Sequence, residues 1–301
     1  MKVAEISLPK LSKQLHSKEG FRFRLGAFTI ALISSIDKVV EHLHFAYADF
    51  EPLPKTELVD FHVSLTSPAI RRCYRPQVVF SFDDHIPFLP LPLSQASAMF
   101  EWGLNWCIAN NAHHFLILHA AVVEKNGRAL ILPGSPGSGK STLCAALACQ
   151  GWRLLSDEMA LLSLADGLIY PVPRPVSLKN QSIQIIREFA PDADFGRIVT
   201  DTAKGDIAHL RPPRASVLSQ SETAEPAFLV FPHYRSEGES ELKMLSKGLA
   251  FMTLAKNAFN FNILGREGFD TMAHLIDRVE CFDFSYPSLA SALAGIDGLV
   301  R

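Results

Sequence analysis

Residues 134–141 constrain this chain more than any other stretch. They read Gly134, Ser135, Pro136, Gly137, Ser138, Gly139, Lys140, Ser141, and they fit the pattern G-x-x-x-x-G-K-[ST] at each fixed position. An apolar run, Arg128 to Leu132, enters the stretch. A helix-compatible run from Ser141 to Gln150, with Thr142 in its first turn, leaves it. That is the strand–loop–helix setting the pattern requires. The three glycines open backbone angles closed to other residues, so successive N–H groups can converge on one anion. The following helix points its positive end at the same anion. Lys140 adds a point charge suited to β- and γ-phosphates, and the Ser141 hydroxyl suits Mg²⁺.

A chain of 301 residues is long enough for one large domain or two modest ones. Apolar residues make up 48% and charged residues 20%, which describes a globular protein and excludes a disordered one. A net charge of −2 gives no electrostatic footprint for nucleic acid or for an anionic membrane. Its apolar runs fall short of the ~20 residues a bilayer crossing needs, and the first twenty residues lack the apolar segment of a signal peptide. Five cysteines form no C-x-x-C and no pairing framework, so the expected compartment is a reducing cytoplasm.

Along the chain, Phe21 to Phe82 reads as mostly strand-like: Phe21 to Ser34, His42 to Phe50, Asp60 to Ser67 and Pro76 to Phe82, parted by turn-formers. The expectation is a small β-rich or α+β N-terminal domain over residues 1–94. Within it, Arg71, Arg72 and Arg75 cluster near Cys73, either as a solvated strand end or as a contact for an acidic substrate segment. Proline-rich Ile86 to Ser94 is the linker candidate. Ala96 to Asn110 has helical spacing, with Met99, Trp102, Trp106 and Ala109 on one face as core. Phe115 to Val123 reads as one buried strand, and Asn126-Gly127 turns it into Arg128 to Leu132 as a hairpin. Gly151 is a natural end for the helix after the loop, and Trp152 to Glu158 a short strand closing on two acids. A second hairpin spans Met159 to Val172. Helices are expected over Gln181 to Phe189, Gly248 to Asn260 and Asp270 to Val279, a strand over Phe228 to Phe231, and irregular chain over Pro191 to Ser216.

Asp157 and Glu158 follow the loop by one helix and one strand. Neighbouring strands can place such an acid beside the phosphates, where Mg²⁺ needs a carboxylate or a reacting hydroxyl needs a base. His119 lies within an apolar run ahead of the loop, where a histidine serves either as a satisfied core residue or as part of the site.

Taken together, Leu118 to Val123, Gly134 to Ser141 and Gly151 to Glu158 resemble the catalytic domain of the HPr kinase/phosphorylase family. They are closer still to the bacterial group called HPr kinase-related kinase A. Pro175 to Asn180, Thr202 to Pro213, Phe231 to Arg235 and Leu254 to Asn260 are similar to that group as well. The resemblance spans about residues 95–290. It implies an α/β, P-loop-containing fold of the HPr kinase/PEP carboxykinase type over residues 95–301, with ATP and Mg²⁺ as cofactors. It places ATP phosphates on Gly134 to Thr142 and Mg²⁺ at Ser141 and Asp157. It also gives His119, Lys140 and one of the acids Asp157 and Glu158 catalytic roles, and it makes self-association plausible.

Three departures stand out. The family base falls on Glu158, where the parent enzymes carry Asp, so either Glu158 or Asp157 serves. Ala120 replaces the glycine after the histidine. The family's E-x-R-G-x-G glutamate has no clear counterpart, which leaves phosphorolysis of a phosphoserine unsupported. Lys179, Lys204, His209, Arg211 and Arg235 are candidates for lid contacts to the γ-phosphate and acceptor. Asn257 and Asn260 either orient those loops or cap a helix. The expected activity is transfer of a γ-phosphoryl group to a hydroxyl, a serine of a small protein or peptide. The alternatives are an ATPase, an ATP-sensing binding module and a small-molecule kinase.

Overall fold

The computed structural model describes residues 1–68, 74–135 and 137–300; Arg71, Arg72, Cys73 and Pro136 lie outside the described residues. The first layer begins with α1 (Leu8–Leu15), then the hairpin β1 (Phe21–Leu25) and β2 (Phe28–Ser34). Phe21, Phe23 and Leu25 turn inward while Arg22 and Arg24 turn out, the period of two that fixes strand register. Helix α2 (Asp37–Ala46) crosses over to β3 (Phe61–Thr66), which pairs parallel to β2, and β4 (Gln77–Phe82) and β5 (Leu91–Pro92) complete an antiparallel edge. The sheet order is β1-β2-β3-β4-β5.

Two expectations are corrected here. His42 to Phe50 is not a strand: its first half belongs to α2, where Val39, Val40, Leu43 and Ala46 bury one helical face. The aromatic content of that stretch argued for a strand, but tertiary burial at helical spacing decided otherwise. Ile86 to Ser94 is not a free linker either. Phe88, Leu91 and Leu93 pack on the core, and Pro92 sits in a two-residue strand at the sheet edge, where a missing N–H breaks no ladder. Packing therefore does not break at residue 94, because α3 (Ala96–Asn111) puts Ala96, Met99, Phe100, Leu104, Cys107 and Ile108 into the same core as the first layer. Trp102 and Trp106 flank that face rather than lie in it; Trp106 packs edge-on against Phe82 and Phe88.

After α3 come β6 (Phe115–Leu118), β7 (Ala120–Lys125), β8 (Arg128–Pro133), α4 (Lys140–Cys149), β9 (Arg153–Ser156), β10 (Ala160–Ser163) and β11 (Ile169–Tyr170). Next are β12 (Val176–Lys179), α5 (Gln181–Phe189), β13 (Val199–Thr202), β14 (Gly205–Leu210) and α6 (Arg214–Leu218). The chain closes with β15 (Glu225–Tyr234), β16 (Glu241–Met244), α7 (Lys247–Lys256), α8 (Phe261–Arg278), β17 (Glu280–Tyr286) and α9 (Leu289–Val300). The main sheet has the order β16-β17-β15-β8-β7-β9, with β8, β15 and β17 parallel. The middle stretches of β7, β8 and β15 are apolar on both faces because both faces are covered. Leu130, Leu132 and Val230 meet α4 and α9, whereas Ala129, Ile131, Leu229 and Phe231 meet α7 and α8. The β7–β8 turn forms as expected, with Asn126 at φ 56° and Gly127 at φ 79°, the left-handed pair that a tight hairpin requires.

Residues 115–123, expected as one strand, are two. Strand β6 pairs with β10 in a small sheet, whereas β7 pairs with β8 and β9 in the large one. At the break, His119 N–H donates to the Asn257 carbonyl at 2.6 Å. Buried Asn260 accepts from Ile117 N–H at 2.9 Å and donates to the Phe115 carbonyl at 2.8 Å, which satisfies the edge of β6 with a side chain. Asn260 is thus structural. The stretch Pro191 to Ser216, expected to be irregular, carries β13, β14 and α6, and β14 is the middle strand of the β12-β14-β13 sheet. No described helix is long and apolar enough to cross a membrane.

Candidate active site

The glycine-rich loop leaves the carboxyl end of β8 and enters α4. Gly139 caps that helix in the left-handed region, φ 95°, and a Cβ there would stand 2.4 Å from the Tyr286 hydroxyl. Only glycine fits on both counts. Lys140 is buried, and its ammonium folds back to donate to the Gly134 carbonyl, with the Ser135 carbonyl and His119 Nε2 each at 3.5 Å. Burial pulls the Lys140 pKa down, and Lys179 pulls the same way; Asp157 and Glu158 oppose them. The Ser138 hydroxyl is buried with no hydrogen-bond partner, an orphan within the glycine-rich loop.

His119, at the break between the two sheets, bridges the cluster. Its Nδ1 donates to the Glu158 carbonyl at 3.2 Å, so Nε2 is left as an acceptor toward Lys140. Burial and the Lys140 charge hold its pKa down, which keeps the ring neutral.

Asp157 and Glu158 follow β9 and have different surroundings. Asp157 is buried, and its Oδ2 accepts from the Ser177 N–H at 2.9 Å, while Oδ1 has no partner. Burial pushes its pKa up to about 6, helped by the Glu158 charge; the Ser177 amide and the Ser141 hydroxyl act in the other direction. Burial acts on Glu158 too, but the charges of Arg174, Lys179 and Lys204 outweigh it and hold its pKa below the usual range. Glu158 accepts from Asn105 Nδ2, and its Oε1 lies 3.8 Å from Lys179 Nζ.

The cleft over the acids is lined by Trp102, Asn105, Arg174 and Ser177; the sequence read Trp102 only as core packing and marked neither Asn105 nor Arg174. Arg174 donates to the Asn105 side-chain oxygen and, at 3.1 Å, to the Glu101 carbonyl. The Glu101 carboxylate, fully enclosed, accepts from His42 at 2.8 Å and from the Tyr47 hydroxyl at 3.1 Å. The one available signal was Glu101 itself, a carboxylate within an otherwise apolar helical stretch.

The lid candidates separate. Lys179 Nζ lies 3.8 Å from Glu158, and Lys204, with its ammonium 5.4 Å above the Trp102 ring, bears on Glu158 through its charge. His209 points into the interior, its ring 5.1 Å from that of His42 and its Nε2 unpartnered, and burial lowers its pKa to about 4. Arg211 pairs with Asp49 and with Asp194, which ties the end of β14 to the first layer. Arg235 lies past the end of β15, on the side of β8 away from the acids, and its N–H donates to the Tyr286 carbonyl at 3.0 Å. Asn257 holds the backbone of His119 and so orients the site directly.

The donor set fits a hard divalent cation: the Ser141 hydroxyl in the first turn of α4 and a buried carboxylate with one free oxygen. Among the described residues no three His, Cys, Asp or Glu side chains form a ready cage. An ion here would therefore complete its shell with phosphate oxygens and water, the habit of Mg²⁺.

Residues 99–174 match the family described as SynChlorMet cassette protein ScmC. No curated protein matches the chain. Among solved structures, the chain is similar to the Hpr(Ser) kinase/phosphatase from Coxiella burnetii, with 14% identity over 61% of this chain and 96% of that one and a TM-score of 0.26.

Proposed function

We propose that this chain is a phosphotransferase that uses ATP and Mg²⁺ to phosphorylate a hydroxyl, with a serine on a small protein or peptide as the acceptor. One observation carries the reading. The lysine of a phosphate loop, a neutral histidine and two carboxylates of opposite pKa tendency stand in one cluster at the carboxyl ends of β8 and β9. Divergent environments for paired acids are the mark of divided roles.

In this reading Asp157 and Ser141 would hold Mg²⁺, which when bound neutralises charge on the β- and γ-phosphates. Glu158, ionised, takes the proton of the incoming hydroxyl. His119 fixes the backbone of Glu158 through its carbonyl and keeps Lys140 in line. Lys140 exchanges the Gly134 and Ser135 carbonyls for the phosphates, and Lys179 and Lys204 add charge where it grows in the transition state.

Hydrolysis is the second reading, favoured by how far Glu158 lies sheltered beneath Lys179, Asn105 and Arg174, where water enters more readily than a protein side chain. Incubation with γ-labelled ATP and lysate fractions, followed by mass spectrometry, separates the readings. The kinase reading expects a labelled serine that disappears with Glu158→Gln. Steady ATP hydrolysis with no labelled protein would replace it with an ATPase, and tight nucleotide binding without turnover with a sensing module.

A further inference from the structure

A triphosphate in the loop has a direction. Its γ end must face Lys140, Asp157 and Glu158, which lie on the β7–β9 side of β8. The nucleoside end must then leave on the other side, across β15 and β17, the two strands that run parallel to β8 and continue past its end. Two tyrosines stand there. Tyr234 ends β15 and Tyr286 ends β17, and they are paired in register. By strand alternation both share the face of Phe228, Val230, Phe282 and Phe284, the face on which α4 lies.

Their contacts with the loop are direct. The Tyr234 N–H donates to the Ser138 carbonyl at 3.3 Å, its Cβ lies 3.6 Å from where a Gly139 Cβ would be, and the Tyr286 hydroxyl lies at 2.4 Å from that same point. Tyr286 is buried, whereas Tyr234 is 55% exposed with its ring centroid 6.2 Å from that of Tyr286. A large aromatic ring left open to solvent beside a phosphate loop, and braced from behind by a second ring, has the form of a stacking platform.

We propose that Tyr234, supported by Tyr286, is the shelf on which the base of the bound nucleotide stacks. The proposal rests on the phosphate-loop reading above. A π-face recognises any planar base, so the shelf supplies affinity for the nucleoside without selecting one base by hydrogen bonds.

Calorimetric titration of the full chain with Mg·ATP, Mg·ADP and inorganic tripolyphosphate tests it. Tyr234→Ala should weaken ATP and ADP about fivefold to a hundredfold, the span of base stacking by alanine substitution, and leave tripolyphosphate unchanged. Tyr234→Trp should restore ATP binding. A thermal melt equal to wild type confirms that Tyr234→Ala still folds. Equal ATP affinity in wild type and Tyr234→Ala, equal losses for ATP and tripolyphosphate, or a selective ATP loss in Trp102→Ala instead would each overturn the shelf while leaving the loop intact. Failure of wild type to bind tripolyphosphate, or binding undiminished by Lys140→Ala, overturns the loop reading and the shelf with it.

Discussion

Asn105 donates its side-chain amide to the Glu158 carboxylate while Arg174 holds the carbonyl of the same side chain. Through Arg174 the chain of contacts continues to Glu101, His42 and Tyr47, so the position of the acid is set by helices of the first layer. A buried network of this kind is stiff only while each member is satisfied.

Asn105→Asp keeps the shape but places a like charge against Glu158. The new carboxylate opposes the cations that hold the Glu158 pKa down, so that pKa rises. The acid limb of the kcat/KM profile should move to higher pH, with activity lost first on the acidic side. An unchanged limb with reduced activity at all pH values would mean that Asn105 acts on packing alone.

Asp157→Asn should have opposite effects on apo stability and on stabilisation by a Mg²⁺-bound nucleotide. A buried carboxyl whose pKa is raised to about 6 binds a proton in the fold that the unfolded chain has already released, so stability falls as pH rises from the ordinary carboxylate range through about 6. Above that window the wild type carries the full burden, up to roughly 3 kcal/mol. The amide removes it, so the apo variant should melt higher than wild type at pH 7.5, with the gap closing toward pH 4. Mg·ADP should raise the wild-type Tm and leave that of the variant nearly unmoved. Thermal melts across pH, with and without the nucleotide, check both parts.

Lys140→Met preserves the buried stem and deletes the charge. Because burial already disfavours that ammonium, the fold should lose little, within about 1 kcal/mol. Turnover should fall roughly a hundredfold or more, as when one donor to a developing charge is removed. Parallel melts and turnover assays measure both.

Gly139→Ala introduces two separate faults: a side chain at φ 95° and a clash with the Tyr286 hydroxyl. Each is worth on the order of 1–3 kcal/mol. Adding Tyr286→Phe removes the oxygen that meets the new methyl, so the double variant should recover part of the lost stability but not the part due to the backbone. Denaturant melts of the four proteins in the cycle give that split.

The glycine-rich turn, the helix behind it, the Asn126-Gly127 hairpin and the strand that ends at the acidic pair were all legible because each is a local matter. Turn chemistry, glycine spacing and a run buried on both faces leave their mark within ten residues or so. The sequence marked the glycine-rich turn, the lysine that begins its helix and the acidic pair one strand later, the three features that the proposed site is built from. It did not determine that Phe115 to Val123 splits at His119, because the split depends on Asn257 and Asn260 arriving from far along the chain. Nor did it mark Asn105 and Arg174, which look like any polar residues until α3 and the chain after β11 bring them over Glu158. Of five basic and histidine candidates, tertiary contacts brought Lys179 to the acid, set Lys204 over the Trp102 ring of the same cleft, and turned His209 and Arg211 toward the first layer. The reason is physical. Backbone geometry is written in neighbouring residues, but the partner of a long charged side chain is chosen by which elements pack together.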